Sequence, residues 1–89
     1  MSTDLVDLTM LGERLARVRR TYGESIDVPN LGRTVFARLL GVSTTAYASY
    51  ERGEREPTIE FLVALRDKTR ISLDWLLDLN EHGQYRPYR

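Results

Sequence analysis

Residues 33–55, RTVFARLLGVSTTAYASYERGER, decide the fold. On both sides of Gly41, apolar residues recur at three- and four-residue steps, and this spacing predicts two short helices over residues 33–40 and 44–52. Gly41 permits the left-handed backbone conformation of a tight turn, and Ser43 is a typical residue to begin the next helix. Two short helices joined in this way have the geometry of a helix-turn-helix.

The second of these helices is predicted to have two different faces. Tyr47 and Tyr50 lie three residues apart and are expected to point inward, towards Phe36 and Leu40. The opposite face is expected to carry Thr44, Thr45, Ala48, Ser49 and Arg52. Small and polar side chains of this kind suit a helix that lies in the major groove of DNA. An ordinary solvated helix face is the alternative interpretation.

The rest of the chain also has helical periodicity. Apolar residues repeat at helical steps over residues 11–22, 59–68 and 73–79. The expected caps of these three helices are Asp7 or Thr9, then Thr58, then Ser72, and Gly23 is expected to end the first helix. No run alternates apolar and polar residues for long enough to form a sheet. The sequence therefore predicts an all-α fold of five short helices.

Two of the predicted helices have apolar stripes that are expected to face the core. In the second helix the stripe consists of Val35, Phe36, Leu39 and Leu40. In the fourth helix it consists of Ile59, Leu62, Val63 and Leu65. Trp75 has two interpretations: it packs on the fourth helix, or it lies half exposed at a dimer contact with Leu76 and Leu79.

The 89 residues leave room for one domain. Residues 1–9 are expected to form an N-terminal arm, residues 10–79 the helix-turn-helix domain, and residues 80–89 a flexible tail. Between Glu24 and Gly32 the helical periodicity is lost, which predicts a loop. This loop is longer than most connections between helices. It is either neutral surface or a contact to the DNA backbone.

The charge of the chain sums to zero, but its basic residues are unusual in kind. Twelve of the thirteen are arginine, and arginine forms paired hydrogen bonds with phosphates and guanine edges better than lysine does. A genome rich in G and C would produce the same preference. The arginines are therefore compatible with DNA binding without demonstrating it.

Several classes of function have no support in the sequence. The absence of cysteine excludes disulfides, thiolate catalysis and cysteine-based zinc sites. His82 is the single histidine, and no phosphate-binding glycine loop is present. We therefore expect no catalytic residue, no metal and no cofactor. Without a signal-peptide pattern or a stretch of ~18 apolar residues, the expectation is a cytoplasmic, nucleoid-associated protein rather than a membrane protein.

The ordered set of motifs resembles the lambda-repressor-like (xenobiotic-response-element) family of helix-turn-helix regulators. The resemblance covers residues 11–79 and rests on FA at 36–37, LGVS at 40–43, YERGER at 50–55, Pro57 and ISLDWLL at 71–77. The chain departs from the family in two places. Arg33 stands where the family usually has a phosphate-binding glutamine, and the loop before it has about seven surplus residues.

The resemblance implies which residues contact DNA. Thr44, Thr45 and Ser49 would face base edges, while Ala46 or Ala48 would touch a thymine methyl group. Phosphates would be bound by Ser43 and Arg52 at the two ends of the recognition helix, and by Arg33 and Arg55 beside it. Glu51 would be buried, hydrogen-bonded and structural. The expected DNA-binding set is Arg33, Ser43, Thr44, Thr45, Ala48, Ser49, Arg52 and Arg55.

The resemblance also implies a function. A transcriptional regulator, most simply a repressor, would bind double-stranded DNA as a homodimer on a palindromic operator. The expected dimer contact is the last helix, from Leu73 to Leu79, with the N-terminal arm as a second element. Activation through contact with RNA polymerase is a variant of this role. The alternative is an antitoxin subunit that binds a toxin, or a protein-interaction module with the same fold.

Overall fold

The structure, a computed structural model, describes residues 7–77 and contains five helices in this range. They are α1 (Leu8–Ser25), α2 (Arg33–Leu40), α3 (Thr44–Glu51), α4 (Ile59–Thr69) and α5 (Leu73–Leu76). The predicted all-α class is confirmed, and every regular element of the described range is a helix. Residues 1–6 of the predicted N-terminal arm and the whole predicted tail, 80–89, lie outside the described residues, as do residues 78 and 79 of the predicted domain.

Side-chain caps begin four of the five helices between Asp7 and Leu77. The Asp7 carboxylate accepts hydrogen bonds from the backbone N–H groups of Thr9 and Met10, at 3.0 and 3.2 Å. Ser43, Thr58 and Ser72 cap α3, α4 and α5 in the same way. Such caps satisfy backbone donors that have no partner within the helix. The predicted cap positions of these four helices are therefore confirmed.

The prediction that α1 ends at Gly23 is wrong. The helix continues to Ser25, and Gly23 is buried within it. A β-carbon at Gly23 would lie 2.6 Å from the Val28 carbonyl oxygen and 2.7 Å from the β-carbon of Leu31. The glycine is therefore needed because the following loop packs directly on α1, and not because it ends the helix. The loop begins at Ile26, two residues later than predicted.

A single core lies between the helices. Its largest fully buried side chains are those of Leu15, Val18, Phe36, Tyr47, Phe61, Leu65, Ile71 and Leu76. Two predicted core stripes are corrected by this arrangement. Val35 and Leu39 of α2 are exposed, as are Ile59 and Val63 of α4, with Ile59 at 76%. On these short helices only one narrow row faces the core, and the apolar residues beside that row face solvent.

Between residues 7 and 77, no helix is both long enough and apolar enough to cross a bilayer.

Candidate nucleic-acid interface

Helices α2 and α3 form the predicted helix-turn-helix. Gly41 between them has φ 77°, the left-handed conformation that disfavours side chains with a β-carbon. Its N–H donates to the Arg38 carbonyl oxygen, and the Val42 N–H donates to that of Ala37, at 3.1 and 3.0 Å. Ala37 is fully buried. The turn is therefore closed by backbone hydrogen bonds, and a small residue of α2 lies in the interior, as the sequence predicts.

The inner face of α3 is held by aromatic packing. The rings of Phe36 and Tyr47 meet edge to face, with their centroids 5.4 Å apart. Tyr50 packs on Phe61 of α4, with a centroid distance of 4.8 Å. Both tyrosines are buried, so the prediction that they face inward is confirmed. Their burial fixes the orientation of α3 and leaves its opposite face outside.

The outer face of α3 is small and polar. Thr44, Thr45 and Arg52 are exposed, and Ala48 between them is half-buried. Ser43 is also exposed, and its side-chain oxygen accepts the Ala46 N–H at 3.1 Å. Because that bond uses only the oxygen, the hydroxyl hydrogen remains able to donate to an acceptor such as a phosphate. Four predicted contact residues and the Ser43 cap are thus brought to one side of the domain.

Ser49 is not on this outer face, and its predicted placement there is wrong. Its exposure is 5%, and its hydroxyl donates to the Ala46 carbonyl oxygen at 2.7 Å. The chain folds back at this point, because the N–H of Glu54 donates to the Ser49 carbonyl oxygen. A short side chain that bonds its own helix at such a turn has little surface left for a base edge.

The C-terminal end of α3 is held by its last residue, Glu51, whose side chain is only 1% exposed. Arg19 of α1 makes two hydrogen bonds to this carboxylate, of 2.8 and 3.2 Å, and the Tyr47 hydroxyl donates a third. Arg33, the first residue of α2, adds a fourth from Nε, at 2.9 Å. One carboxylate therefore joins α1, α2 and α3. The expectation that Glu51 is buried, hydrogen-bonded and structural is confirmed.

The ionisation of this cluster follows from its bonding. Burial alone would raise the pKa of Glu51, but the hydrogen bonds from Arg19, Tyr47 and Arg33 outweigh it and lower the pKa. Burial also raises the pKa of Tyr47, as does its hydrogen bond to Glu51, so the phenol stays neutral. The cluster contains two guanidinium groups and one carboxylate, and it therefore carries a surplus positive charge.

Arg33 is where this surplus charge reaches the surface. Its side chain is 46% exposed, whereas that of Arg19 is 14% exposed. Since Nε of Arg33 is bound to Glu51, the guanidinium plane is held in one orientation at the start of α2. Gly32, the residue before it, provides no side-chain cap. An exposed and oriented arginine at this position suits a phosphate contact, which stays a prediction for Arg33.

At the same, C-terminal end of α3, the next residue, Arg52, is bound to a carboxylate as well. Its Nε and Nη2 donate to the two oxygens of Glu54, at 3.0 and 3.1 Å. These hydrogen bonds raise the pKa of Arg52 and lower that of Glu54. Arg55, the next predicted phosphate contact, is exposed and has its guanidinium carbon 5.8 Å from the centre of the Tyr50 ring. Contact of either arginine with DNA stays a prediction.

The role of Arg19 was not predicted from the sequence. It ties α3 to α1 through Glu51, and its Nη1 also donates to the Leu31 carbonyl oxygen at 2.7 Å. Leu31 is buried, so this bond fixes the end of the long loop just before α2. The available signal was Glu51 itself, because a carboxylate on the buried side of a helix requires a cationic partner.

Close packing of α1 on α3 depends on Gly12. A β-carbon there would lie 2.2 Å from the backbone oxygen of Glu51, which is far inside van der Waals contact. Glycine therefore lets α1 approach the backbone of α3 at the residue that carries the buried carboxylate. This second role was also not predicted from the sequence.

The prediction that Trp75 lies half exposed at a dimer contact is wrong, and the alternative, that it packs on the fourth helix, stays a prediction. Trp75 is buried, and its ring lies beneath the guanidinium groups of Arg14 and Arg17 of α1, at 5.3 and 5.7 Å. Arg14 also donates to the Trp75 carbonyl oxygen at 2.6 Å. Cation–π contacts therefore hold α5 against α1. Of the predicted dimer helix, Leu73 and Leu77 are half-buried and Leu79 lies outside the described residues.

Within residues 7–77, no group of histidine, aspartate and glutamate side chains comes together in a way that could hold a metal ion.

Comparison with known proteins places the helix-turn-helix in a family. Residues 30–76 match the family model described as helix-turn-helix. The chain is 35% identical over 74 residues to the cryptic phage CTXphi transcriptional repressor RstR of Vibrio cholerae, which covers 78% of this chain and 60% of the relative. It is 33% identical over 76 residues to an SPbeta prophage-derived uncharacterized HTH-type transcriptional regulator, YonR, of Bacillus subtilis, covering 85% of this chain and 63% of that protein.

The chain thus spans about three fifths of the length of these two relatives. No solved structure matches it. The family match covers α2, α3 and α4 completely and ends at the last residue of α5. The chain therefore belongs to the helix-turn-helix family that its sequence resembles, the lambda-repressor-like transcriptional regulators.

Proposed function

We propose that this chain is a sequence-specific DNA-binding repressor, which acts as a homodimer on a palindromic operator. The observation that carries the proposal is the outer face of α3, where Thr44, Thr45 and Arg52 are exposed while both tyrosines and Glu51 are turned inward. This face is polar and none of the α3 residues on it is a carboxylate, so the helix can enter a major groove with little repulsion of the phosphates. Family membership agrees with the expectation that the chain is not an enzyme.

The proposed role of each residue in DNA binding follows from the chemistry of its side chain. Arg33, Arg52 and Arg55 contact phosphates, supply salt-dependent affinity and position the helix. Thr44 and Thr45 read base edges, and Ala48 offers an apolar contact for a thymine methyl group. Ser43 donates its hydroxyl hydrogen to a phosphate at the start of α3. Ser49 is omitted from the base-reading set because it is buried.

The test of this proposal is selection from a random pool of DNA duplexes at moderate salt. Enrichment of a palindrome with half-sites about one helical turn apart, ~34 Å, would support both DNA reading and a dimer. If no sequence is enriched and the chain instead copurifies with a stable protein partner, the proposal is wrong and the alternative of an antitoxin or interaction module is favoured.

Two variants separate positioning from reading. Arg52→Ala is expected to weaken binding to the selected site and to random duplex alike, and to reduce the salt slope by about 0.9 for one lost phosphate contact. Thr45→Ala is expected to change the preferred base at one position of each half-site, with a loss of at most about tenfold in affinity. Arg66→Ala is the control, because Arg66 on α4 is partly exposed and is also paired with a carboxylate, that of Asp67.

The dimer contact has its own test. Leu73→Asp is expected to lower the dimer fraction in sedimentation experiments, because a charge would be buried against the partner. Ile59→Asp is the matched surface control, since Ile59 is the most exposed large apolar residue described. If Ile59→Asp dissociates the dimer and Leu73→Asp does not, the contact lies on α4 and the assignment to the last helix is wrong.

A further inference from the structure

We propose that Glu54 is a competitor of the DNA backbone for Arg52. In the absence of DNA the Glu54 carboxylate holds the Nε and Nη2 edge of the guanidinium group, and a phosphate that binds Arg52 through this edge must displace it. Glu54 thereby sets how tightly the chain binds any DNA. This inference rests on the proposed function, because it requires Arg52 to contact a phosphate.

The first argument is the geometry of the pair. Arg52 presents Nε and Nη2 to Glu54, one nitrogen to each carboxylate oxygen, at 3.0 and 3.1 Å. This edge of the guanidinium fork is also one that binds a phosphate through two parallel hydrogen bonds. The same edge cannot bind a carboxylate and a phosphate through both nitrogens at the same time. The two anions are therefore alternatives at this edge of the guanidinium group.

The second argument is that the turn after α3 fixes the backbone of Glu54 beside the end of the helix. Gly53 has φ 73°, and its N–H donates to the backbone carbonyl oxygen of Tyr50. The N–H of Glu54 donates to the backbone carbonyl oxygen of Ser49 at 2.9 Å. These two bonds are those of a Schellman motif, which reverses the chain after a helix. A β-carbon on Gly53 would lie 3.0 Å from the Leu8 carbonyl oxygen, so the turn is also packed on the start of α1.

The third argument is accessibility. The side chains of Arg52 and Glu54 are 47% and 56% exposed. An exposed pair of this kind is weak and screened by salt, so a phosphate can exchange with the carboxylate. Glu51, one residue before Arg52, cannot take part because its carboxylate is buried and bound by Arg19. Glu54 is therefore the carboxylate that the structure pairs with this end of the recognition helix.

The experiment is a double-mutant cycle on binding to a labelled random-sequence duplex, which needs no knowledge of the operator. Glu54→Gln is expected to tighten binding about two- to fivefold, the range of an exposed ion pair. In an Arg52→Ala background the same substitution is expected to change binding by less than about 1.5-fold, because the competition no longer exists. Glu56→Gln is the matched control, since Glu56 is a nearby exposed carboxylate in the same connection. Thermal melting confirms that each variant is folded.

The outcomes separate the inference from the proposed function. If Glu54→Gln tightens binding equally in both backgrounds, or no more than Glu56→Gln does, Glu54 acts only by general repulsion and the inference is wrong. In that case, weaker binding of the duplex by the Arg52→Ala variant would still support the proposed interface. If Arg52→Ala binds the duplex as the wild type does, both the phosphate contact and the inference are wrong.

Discussion

Glu51 and Glu54 lie three residues apart, and each is bound by arginine, yet their settings are opposite. Glu51 is 1% exposed and joins three helices, with Arg19, Arg33 and Tyr47 as its partners. Glu54 is 56% exposed and is bound by Arg52, two residues earlier. Glu51 is the last residue of α3 and its carboxylate faces the interior, whereas Glu54 lies in the turn just beyond the same end of the helix.

The difference shows that burial decides what an ion pair can do. A buried carboxylate that loses its partners would be left without compensation, so its bonds hold the helices together. An exposed carboxylate is solvated with or without its partner, so it contributes little to stability and can give its partner up. The domain thus combines a fixed attachment of the recognition helix with an exchangeable bond at the surface that is proposed to meet DNA.

The largest expected effect is that of Glu51→Ala. The substitution leaves Arg19 with its charge in a mostly buried site and removes the link between α1 and α3, so the free energy of unfolding should fall by about 3–5 kcal/mol. Urea denaturation followed by circular dichroism measures the loss. Glu54→Ala is the control and should leave the free energy of unfolding almost unchanged, because the carboxylate is exposed. Similar losses of stability in the two variants would contradict the contrast between the buried and the exposed carboxylate.

The next largest loss of stability is expected for Gly12→Ala, which tests the backbone contact between α1 and Glu51. Alanine normally favours a helix, but its β-carbon would lie 2.2 Å from the Glu51 backbone oxygen. The required shift of α1 should cost about 1–3 kcal/mol. The control is Gly32→Ser, because nothing lies within 4 Å of that position and serine is a better cap for α2. A stabilised Gly12→Ala variant would show that α1 does not approach α3 so closely.

Arg33→Gln is expected to lower the free energy of unfolding by less than Gly12→Ala does. Arg33 binds the buried Glu51 and also reaches the surface that is proposed to meet DNA. It loses one hydrogen bond to Glu51, and since Arg33 is half exposed the cost should be only about 1 kcal/mol. The same variant should reduce the salt slope of DNA binding by up to about 0.9. Chemical denaturation and a salt titration with random duplex measure the two effects. A normal slope with reduced stability would restrict Arg33 to a structural role.

The fold was predictable to the extent that it depends on local patterns. Asp7, Ser43, Thr58 and Ser72 cap helices by bonds within three residues, and such short-range bonds are visible in the sequence. Gly23 was misassigned because the reason for the glycine is a loop residue, Leu31, that packs on it after the chain has turned back. Contacts of that kind depend on tertiary packing and have no local signature.

The candidate site was predictable to a similar degree. The inward direction of Tyr47 and Tyr50 follows from helical spacing, and the burial of Glu51 follows from the family resemblance. Spacing also placed Ser49 outside, but the turn at Gly53 folds back beside it, and this is a property of the connection rather than of the helix. The partners of Glu51 come from α1 and α2, so no periodicity within α3 could name Arg19.

The smallest expected difference between Glu51 and Glu54 is in how each affects the loss of stability at low pH. The pKa of Glu51 lies below its ordinary value of 4.5 in the folded chain, so the carboxylate stabilises the fold above that pH, and this stability is lost as the pH falls through the lowered pKa. Denaturant unfolding at a series of pH values from about 6 to 3 should therefore show a shallower decline for Glu51→Gln than for the wild type. The hydrogen bonds from Arg52 lower the pKa of Glu54 too, but its carboxylate is exposed, so solvent screens the pair. Glu54→Gln should follow the wild-type curve, and a curve flattened as much as that of Glu51→Gln would mean that the surface pair is as fixed as the buried one.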